Sequence, residues 1–192
     1  TYTGLDIHGY VVVKAPNVTI KNSIIRGGPG APGNGIVNDT SLSATNFLIE
    51  DSEIVPDYPT TGLDCLKGFN YTALRVNMHG TVDGAKMYGP NATVQSSWIH
   101  GLVTYAHDPA QNGGQSHNDG VQVLSGSHIR IIGNTIVGGS NTALMVTQDH
   151  GTVGDLPGAI LHDSYPTLAS YREKFDRYTT VEAEAIAPSR RA

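Results

Sequence analysis

The sequence predicts an all-β chain wound as a solenoid of about six rungs over residues 1–156, followed by a separate tail at 157–192. Three observations predict it. A short strand pattern led by Gly returns along the chain, a second strand pattern follows nearly every copy, and no sustained helical period appears in residues 1–150. The composition agrees: Gly is 23 of 192 residues and charged residues are 15%. Abundant Thr, Asn and β-branched residues favour strands and tight turns over helices.

The first strands read "GYVVVKAP" from Gly9, "GIVNDTS" from Gly35, "GLDCLKG" from Gly62, "GAKMYGP" from Gly84 and "GVQVLSG" from Gly120, with "ALMVTQD" from Ala143 as a sixth. Their spacings are 26, 27, 22, 36 and 23 residues, so a unit of about 22 residues with insertions fits all. The second strands read "NVTIKNSIIRG", "NFLIEDSEIV", "YTALRVNMHG", "NATVQSSWIHG" and "HIRIIGNTIVGG". Within each strand apolar residues alternate, which places them on one face. A single unit cannot bury that face alone, whereas stacked units can. A leucine-rich solenoid would need a Leu and Asn pattern that is missing, and a β-sandwich would not need near-identical units.

Net charge is −5 and no basic stripe is visible, which argues against nucleic acid as a partner. Apolar runs are about five residues, far short of a membrane span. Cys65 is the single cysteine, so it reads as a small buried apolar side chain. The sequons at Asn17, Asn38, Asn70 and Asn91 are weak signals in a chain so rich in Asn and Thr. The opening "TYTGLDIHG" reads as mid-domain sequence of a mature or trimmed form.

Stacking turns equivalent positions into columns. Two positions after the Gly, the outward column is expected to be Val11, Val37, Asp64, Lys86, Gln122 and Met145, apolar at both ends and polar at its centre. Asp83 and Asp119 form a second column just before the Gly, where a bend frees their side chains. Residues 102–118, "LVTYAHDPAQNGGQSHN", are an inserted loop marked by Pro109, Gly113 and Gly114. The loop brings Tyr105, His107, Asp108 and His117 to the polar centre of this face. The plain alternative is an inter-rung ion pair of Lys86 with Asp64, and Asp residues that cap turns.

The unit "GVQVLSGSHIRIIGNTIVGG" and its relatives resemble a right-handed parallel β-helix of the pectate-lyase-like superfamily, over roughly residues 4–150. The resemblance implies an extracellular or cell-surface protein that binds an acidic polysaccharide along one sheet and cleaves it by β-elimination. In that reading Asp64, Asp83 and Asp119 hold Ca²⁺. Lys86, His117 and Asp119 are the catalytic candidates, with Lys86 as base and His117 as its substitute, because flanking acids raise a Lys pKa. Asp64, Gln122, Tyr105 and His107 contact substrate. The resemblance also implies an Asn ladder through Asn22, Asp51, Asn77 and Asn134. "NDGVQV" is also reminiscent of β-helical polygalacturonases, where Asp83 and Asp119 would be a hydrolytic pair. A non-catalytic carbohydrate-binding or cell-surface module, or an inactive fragment, is the third reading. Outward aromatic rings would favour it, and Tyr88, Trp98 and Tyr105 are the candidates, although Trp98 is expected to pack in the solenoid at the position of Ile24.

His8, His79, His100 and His128 fall in different units without metal-ligand spacing and read as structural or surface residues. In the tail, Leu168, Tyr171, Phe175 and Tyr178 recur at spacings of three and four, which predicts an amphipathic helix with Ser164 or Thr167 as its cap. Such a helix would either cover the open end of the solenoid or be a foreign tail on a truncated one.

Overall fold

A computed structural model describes residues 1–30 and 35–147. The expected tail helix, its cap and residues 148–156 lie outside the described residues. The described chain forms three parallel sheets of six strands each. Sheet A contains β1 (Tyr2–Thr3), β4 (Thr19–Lys21), β7 (Phe47–Glu50), β10 (Tyr71–Leu74), β13 (Thr93–Gln95) and β16 (Arg130–Ile132). Sheet B contains β2 (Asp6–Ile7), β5 (Ile24–Ile25), β8 (Glu53–Ile54), β11 (Asn77–His79), β14 (Trp98–His100) and β17 (Thr135–Ile136). Sheet C contains β3 (Val11–Val12), β6 (Gly35–Asp39), β9 (Asp64–Gly68), β12 (Asp83–Met87), β15 (Asp119–Val123) and β18 (Thr142–Val146). The chain visits A, B and C in turn, six times, as expected of an all-β parallel solenoid consistent with a β-helix. Among the described residues the one helical element is a 3₁₀ turn, Pro109–Gln111, capped by Asp108.

The core runs along the solenoid. Sheet A contributes Ile20, Ile49, Ala73 and Val94, sheet B contributes Ile25, Ile54, Met78 and Ile99, and sheet C contributes Leu66, Ala85 and Val121. Each group is one column of Cα partners. A short strand buries few side chains, so stability comes from repeating this burial rung after rung.

The corner from A to B is the most regular feature. Asn22, Asp51, Arg75, Ser96 and Gly133 occupy it on successive rungs, with φ of 48°, 49°, 53°, 51° and 61°. One residue in the left-handed region sharply redirects the strand. Asn, Asp and Gly enter that region at little cost, Arg and Ser less readily. The residue after it carries a ladder of side-chain bonds. Leu5 N donates to Ser23 Oγ, Ser23 N to Ser52 Oγ, Val76 N to Ser97 Oγ and Ser97 N to Asn134 Oδ1. The expected Asn ladder is thus corrected: Asn134 belongs to a mostly serine ladder, Asn22 and Asp51 form the bend, and Asn77 lies in sheet B.

A second left-handed column, Asn17, Asn46, Asn70, Asn91 and His128, precedes sheet A. Thr19, Thr72 and Thr93 follow two residues after three of these Asn residues, so the repeat itself generates three of the four sequons.

Sheet C corrects the alignment expected from the glycines. Lys86 pairs with Lys67 on one side and Gln122 on the other, and Asp64 pairs with Asp83. Gly62 is a turn residue with φ of 69°, and the position equivalent to Gly84 is taken by Cys65. The ladder expected to run Asp64–Lys86–Gln122 therefore runs Asn38–Lys67–Lys86–Gln122–Met145. Ile36, Cys65, Gly84, Gly120 and Ala143 form the column two positions before it, which faces the interior. A Cβ at Gly120 would collide with Ile136 across the coil and with the Ala143 carbonyl, and one at Gly84 would collide with Ile99 and the Gly120 carbonyl. Cys65 is fully buried with Sγ 3.0 Å from Thr81 Oγ1, and burial pushes its thiol up to about 12.

Gly120→Ala is expected to lower unfolding free energy by about 1–3 kcal/mol, the usual cost of overpacking. Gly9→Ala, where a Cβ meets nothing, should be neutral or slightly stabilising. Equal denaturant midpoints for the two variants would contradict this packing. Asp39 supplies a pH prediction. Its carboxylate is fully buried without a hydrogen-bond partner, and desolvation lifts it to about 7. A raised carboxylate stabilises the fold at pH below its unfolded pKa, and that contribution is lost as pH rises through 7. Asp39→Asn should therefore melt higher than wild type at pH 8 and flatten the stability profile from pH 4 to pH 8, read by thermal denaturation.

Candidate functional site

The candidate site lies on sheet C where the inserted loop arrives. Two consecutive core positions, Gly84 and Ala85, interrupt the alternation of β12, so Asp83 and Lys86 come together on the same side. Lys86 Nζ lies 2.7 Å from Asp83 Oδ2 and 3.1 Å from Asp64 Oδ1, one rung away. The second contact lies outside hydrogen-bond geometry, so Asp64 Oδ1 is a buried acceptor with only an ion contact. Asp83 Oδ1 accepts from the Asp119 backbone N at 2.8 Å, and Asp119 Oδ1 accepts from Asn141 Nδ2 at 2.9 Å. Three carboxylates thus line up on adjacent rungs, bound together by one ammonium and by hydrogen bonds.

The structure brings Asp64, Asp83, Lys86 and Asp119 together as the sequence reading expected, but by a different geometry. The carboxylates are enclosed: Asp64, Asp83 and Asp119 are 2%, 3% and 2% exposed. Burial pushes Asp64 and Asp119 upward, against the pull of Lys86 on the first and of Asn141 on the second. The Lys86 ammonium is raised, because the attraction of Asp64 and Asp83 outweighs its own desolvation. A lysine held charged in this way is a poor base, which corrects the catalytic role expected for it.

These carboxylates also do not fit Ca²⁺, which takes 6–8 oxygen ligands. Lys86 stands between Asp64 and Asp83 where a cation would stand, and other oxygens are engaged by Asp119 N and Asn141. No group of three His, Cys, Asp or Glu side chains among the described residues converges on a metal position.

The stretch "SHNDG" owes its shape to Asn118, which the sequence reading passed over. Asn118 is fully buried. Its Nδ2 donates to the carbonyls of Val82 and Val103, and its Oδ1 accepts from Thr104, Ser116 and Ser140 hydroxyls. It ties the start and end of the loop to two rungs. Asp119 then joins the carboxylate column and Gly120 fills the close-packed slot, so each residue of the motif has a packing reason. The Pro109 and Gly113 turn signals marked the loop but not the hub that holds it.

The loop presents Tyr105 half-buried and His107 and His117 exposed. Ser116 Oγ accepts from Tyr105 N, and His107 Nδ1 lies 3.1 Å from the Gly113 carbonyl. Burial raises the pKa of the Asp119 carboxyl, and His117 is near enough to pull it part of the way back down. Gln122 is half-buried in the outward ladder, next to Lys86. One rung below, Lys67 Nζ sits 5.0 Å from the centre of the Tyr88 ring. The accessible groups of this face are therefore cationic and amide side chains, above carboxylates that are sealed.

Lys86→Met is expected to destabilise the fold by about 3–5 kcal/mol, because it leaves buried carboxylates without their counter-ion. Without the ammonium, Asp64 rises further, so the variant should lose more stability than wild type as pH increases from 5 to 8. Adding Asp64→Asn and Asp83→Asn to Lys86→Met should recover much of the loss in chemical denaturation. Compared with protein-family models, curated proteins and solved structures, the chain matches none.

Proposed function

We propose that the chain is a secreted or cell-surface polysaccharide-active protein, a right-handed parallel β-helix resembling the pectate-lyase-like superfamily. In this reading the sheet-C face binds an acidic polysaccharide and cleaves it by β-elimination. The observation that carries it is the ladder Lys67–Lys86–Gln122, two cations and an amide on adjacent rungs. Its steps are about 4.8 Å, the strand spacing. An extended polymer bearing a carboxylate on each sugar would meet Lys67, Lys86 and Gln122 in succession, one hydrogen-bond donor on each rung. A charged lysine neutralises the uronate carboxylate, which acidifies the neighbouring C–H. His117 is exposed alongside and is of the chemical type to accept that proton. Tyr105 and His107 form the rim. The electron pair left on carbon forms the double bond as the glycosidic oxygen departs with a proton from solvent.

The test is incubation of the full chain with polygalacturonate, alginate or hyaluronan, following ultraviolet absorbance of unsaturated uronate. Product formation is expected, insensitive to chelator because no step runs through calcium. His117→Ala should cut the rate by at least ~100-fold, the usual worth of a general base, while leaving polymer retention in affinity electrophoresis intact. Lys67→Gln should weaken retention. Reducing ends without that absorbance would point to hydrolysis, and retention without product to a binding module. Neither retention nor product would end the proposal.

A further inference from the structure

Sheet B carries a second constellation, on a face separate from the lysine ladder. Trp98 is the chain's single tryptophan and is 50% exposed. It does stand in the column of Ile24, as the sequence reading expected, but faces out rather than into the solenoid. Its ring stacks on His100 with centroids 3.6 Å apart and planes 20° from parallel, and His100 stacks in turn on His79 at 4.8 Å. The two histidines that seemed isolated in sequence are neighbours on successive rungs. Glu53 Oε1 lies 2.7 Å from His79 Nε2, and Asn77 Oδ1 lies 2.9 Å from His100 Nε2. The indole is thus fixed in orientation by its neighbours while half of it remains in water.

Beside this stack an open cleft of about 370 Å³ runs along the A–B corner, lined by residues that include Asn22, Asp51, Glu53, Arg75 and Asn77. Asn77 is the Cα partner of Trp98, so the indole stands one rung, about 4.8 Å, beyond the cleft. The cation in the cleft is committed: Arg75 makes two bonds to Asp51, at 2.6 and 2.7 Å, and the Glu53 carboxylate is hydrogen-bonded to His79. No cation there is uncommitted for an anionic sugar. A fixed aromatic plane matches the C–H face of a pyranose ring, and amide and carboxylate groups beside it match its hydroxyls.

We propose that this face of sheet B is a binding subsite for a neutral pyranose unit, with Trp98 as its platform and the cleft at Asn77 and Glu53 as its polar wall. The inference does not depend on the reading of sheet C. The neutral sugar could be a branch on an acidic polymer or part of a separate neutral glycan, and the test distinguishes them.

Because Trp98 is the one indole, its emission reports on the subsite directly. Titration with cellohexaose, mannohexaose, galactohexaose and xylohexaose should give a saturable change in emission with at least one, and none with a galacturonate oligomer. Trp98→Ala should reduce affinity at least tenfold in calorimetry and Trp98→Tyr should restore most of it, with thermal midpoints near wild type. Asn77→Ala should weaken binding, read by calorimetry. In affinity electrophoresis, a branched acidic polysaccharide that retards wild type more than Trp98→Ala, while its debranched backbone retards both alike, assigns the sugar to a branch. Selective retardation by a neutral polymer assigns it to a separate glycan. No emission change with any of the four neutral hexasaccharides, a response to the galacturonate oligomer alone, or unchanged affinity in Trp98→Ala would overturn the proposal.

Discussion

Register between rungs is the constraint on which the rest of this structure depends. Parallel strands exchange hydrogen bonds only with the coil above and below, so a one-residue slip would move every core side chain to the outside. The A–B corner enforces it. Ile20 to Ile49 and Ile25 to Ile54 are the same distance along the chain, and the equivalence holds at the neighbouring rungs. One left-handed residue and one ladder residue make the turn each time, leaving no room for variation. Insertions are displaced to the connections that enter and leave sheet C. That is why a polar loop of the size of residues 102–118 arrives beside sheet C.

Sheet C meets the cost of irregular connections with a polar spine. Carboxylates on adjacent rungs would repel one another strongly in a water-poor setting. One lysine between two of them, a backbone N–H on the second and an amide on the third make the column tolerable. Asn118 does for the loop what the serine ladder does for the corner: it satisfies backbone carbonyls that would otherwise be buried without partners. The "His, Asn, Asp, Gly" run that invites a catalytic reading is, in its Asn, Asp and Gly, the means by which this rung closes. Its His is the member left facing solvent.

The architecture was legible because its signals recur: alternating strands, repeated Gly and Asn, and a unit of about 22 residues that takes insertions. Six strands per sheet and the clustering of Asp64, Asp83, Lys86 and Asp119 follow from that period. What was not legible depends on side-chain volume and direction. Gly62 looked like Gly84 but serves a turn, whereas Cys65 is small enough to fill the interior slot that Gly84 fills. Aligning on glycine thus shifted the Gly62 rung by three residues and the Gly9 and Gly35 rungs by one, and gave Lys86 the partner Asp64 instead of Lys67. Trp98 was assigned to the interior by apolarity, although its column continues through Glu53 and Asn77, which are polar. The stacking of His79 on His100 joins residues 21 positions apart, a distance at which sequence spacing for a metal carries no information.

A solenoid of this kind separates its chemistry by face, because each sheet repeats the character of one strand position along the whole axis. On sheet C the accessible groups are lysines set above sealed acids. On sheet B the exposed indole stands beside Arg75 bound to Asp51 and Glu53 bound to His79. The same regular corner serves both, since it fixes the angle between faces and the rise between rungs. A polymer lying along one face would therefore run parallel to a polymer along the other, at a rung spacing that neither ligand sets. Under the two proposals, binding on either face would select chains whose sugars can adopt that spacing, so the solenoid would act as a ruler and the side chains would decide only which sugar is measured.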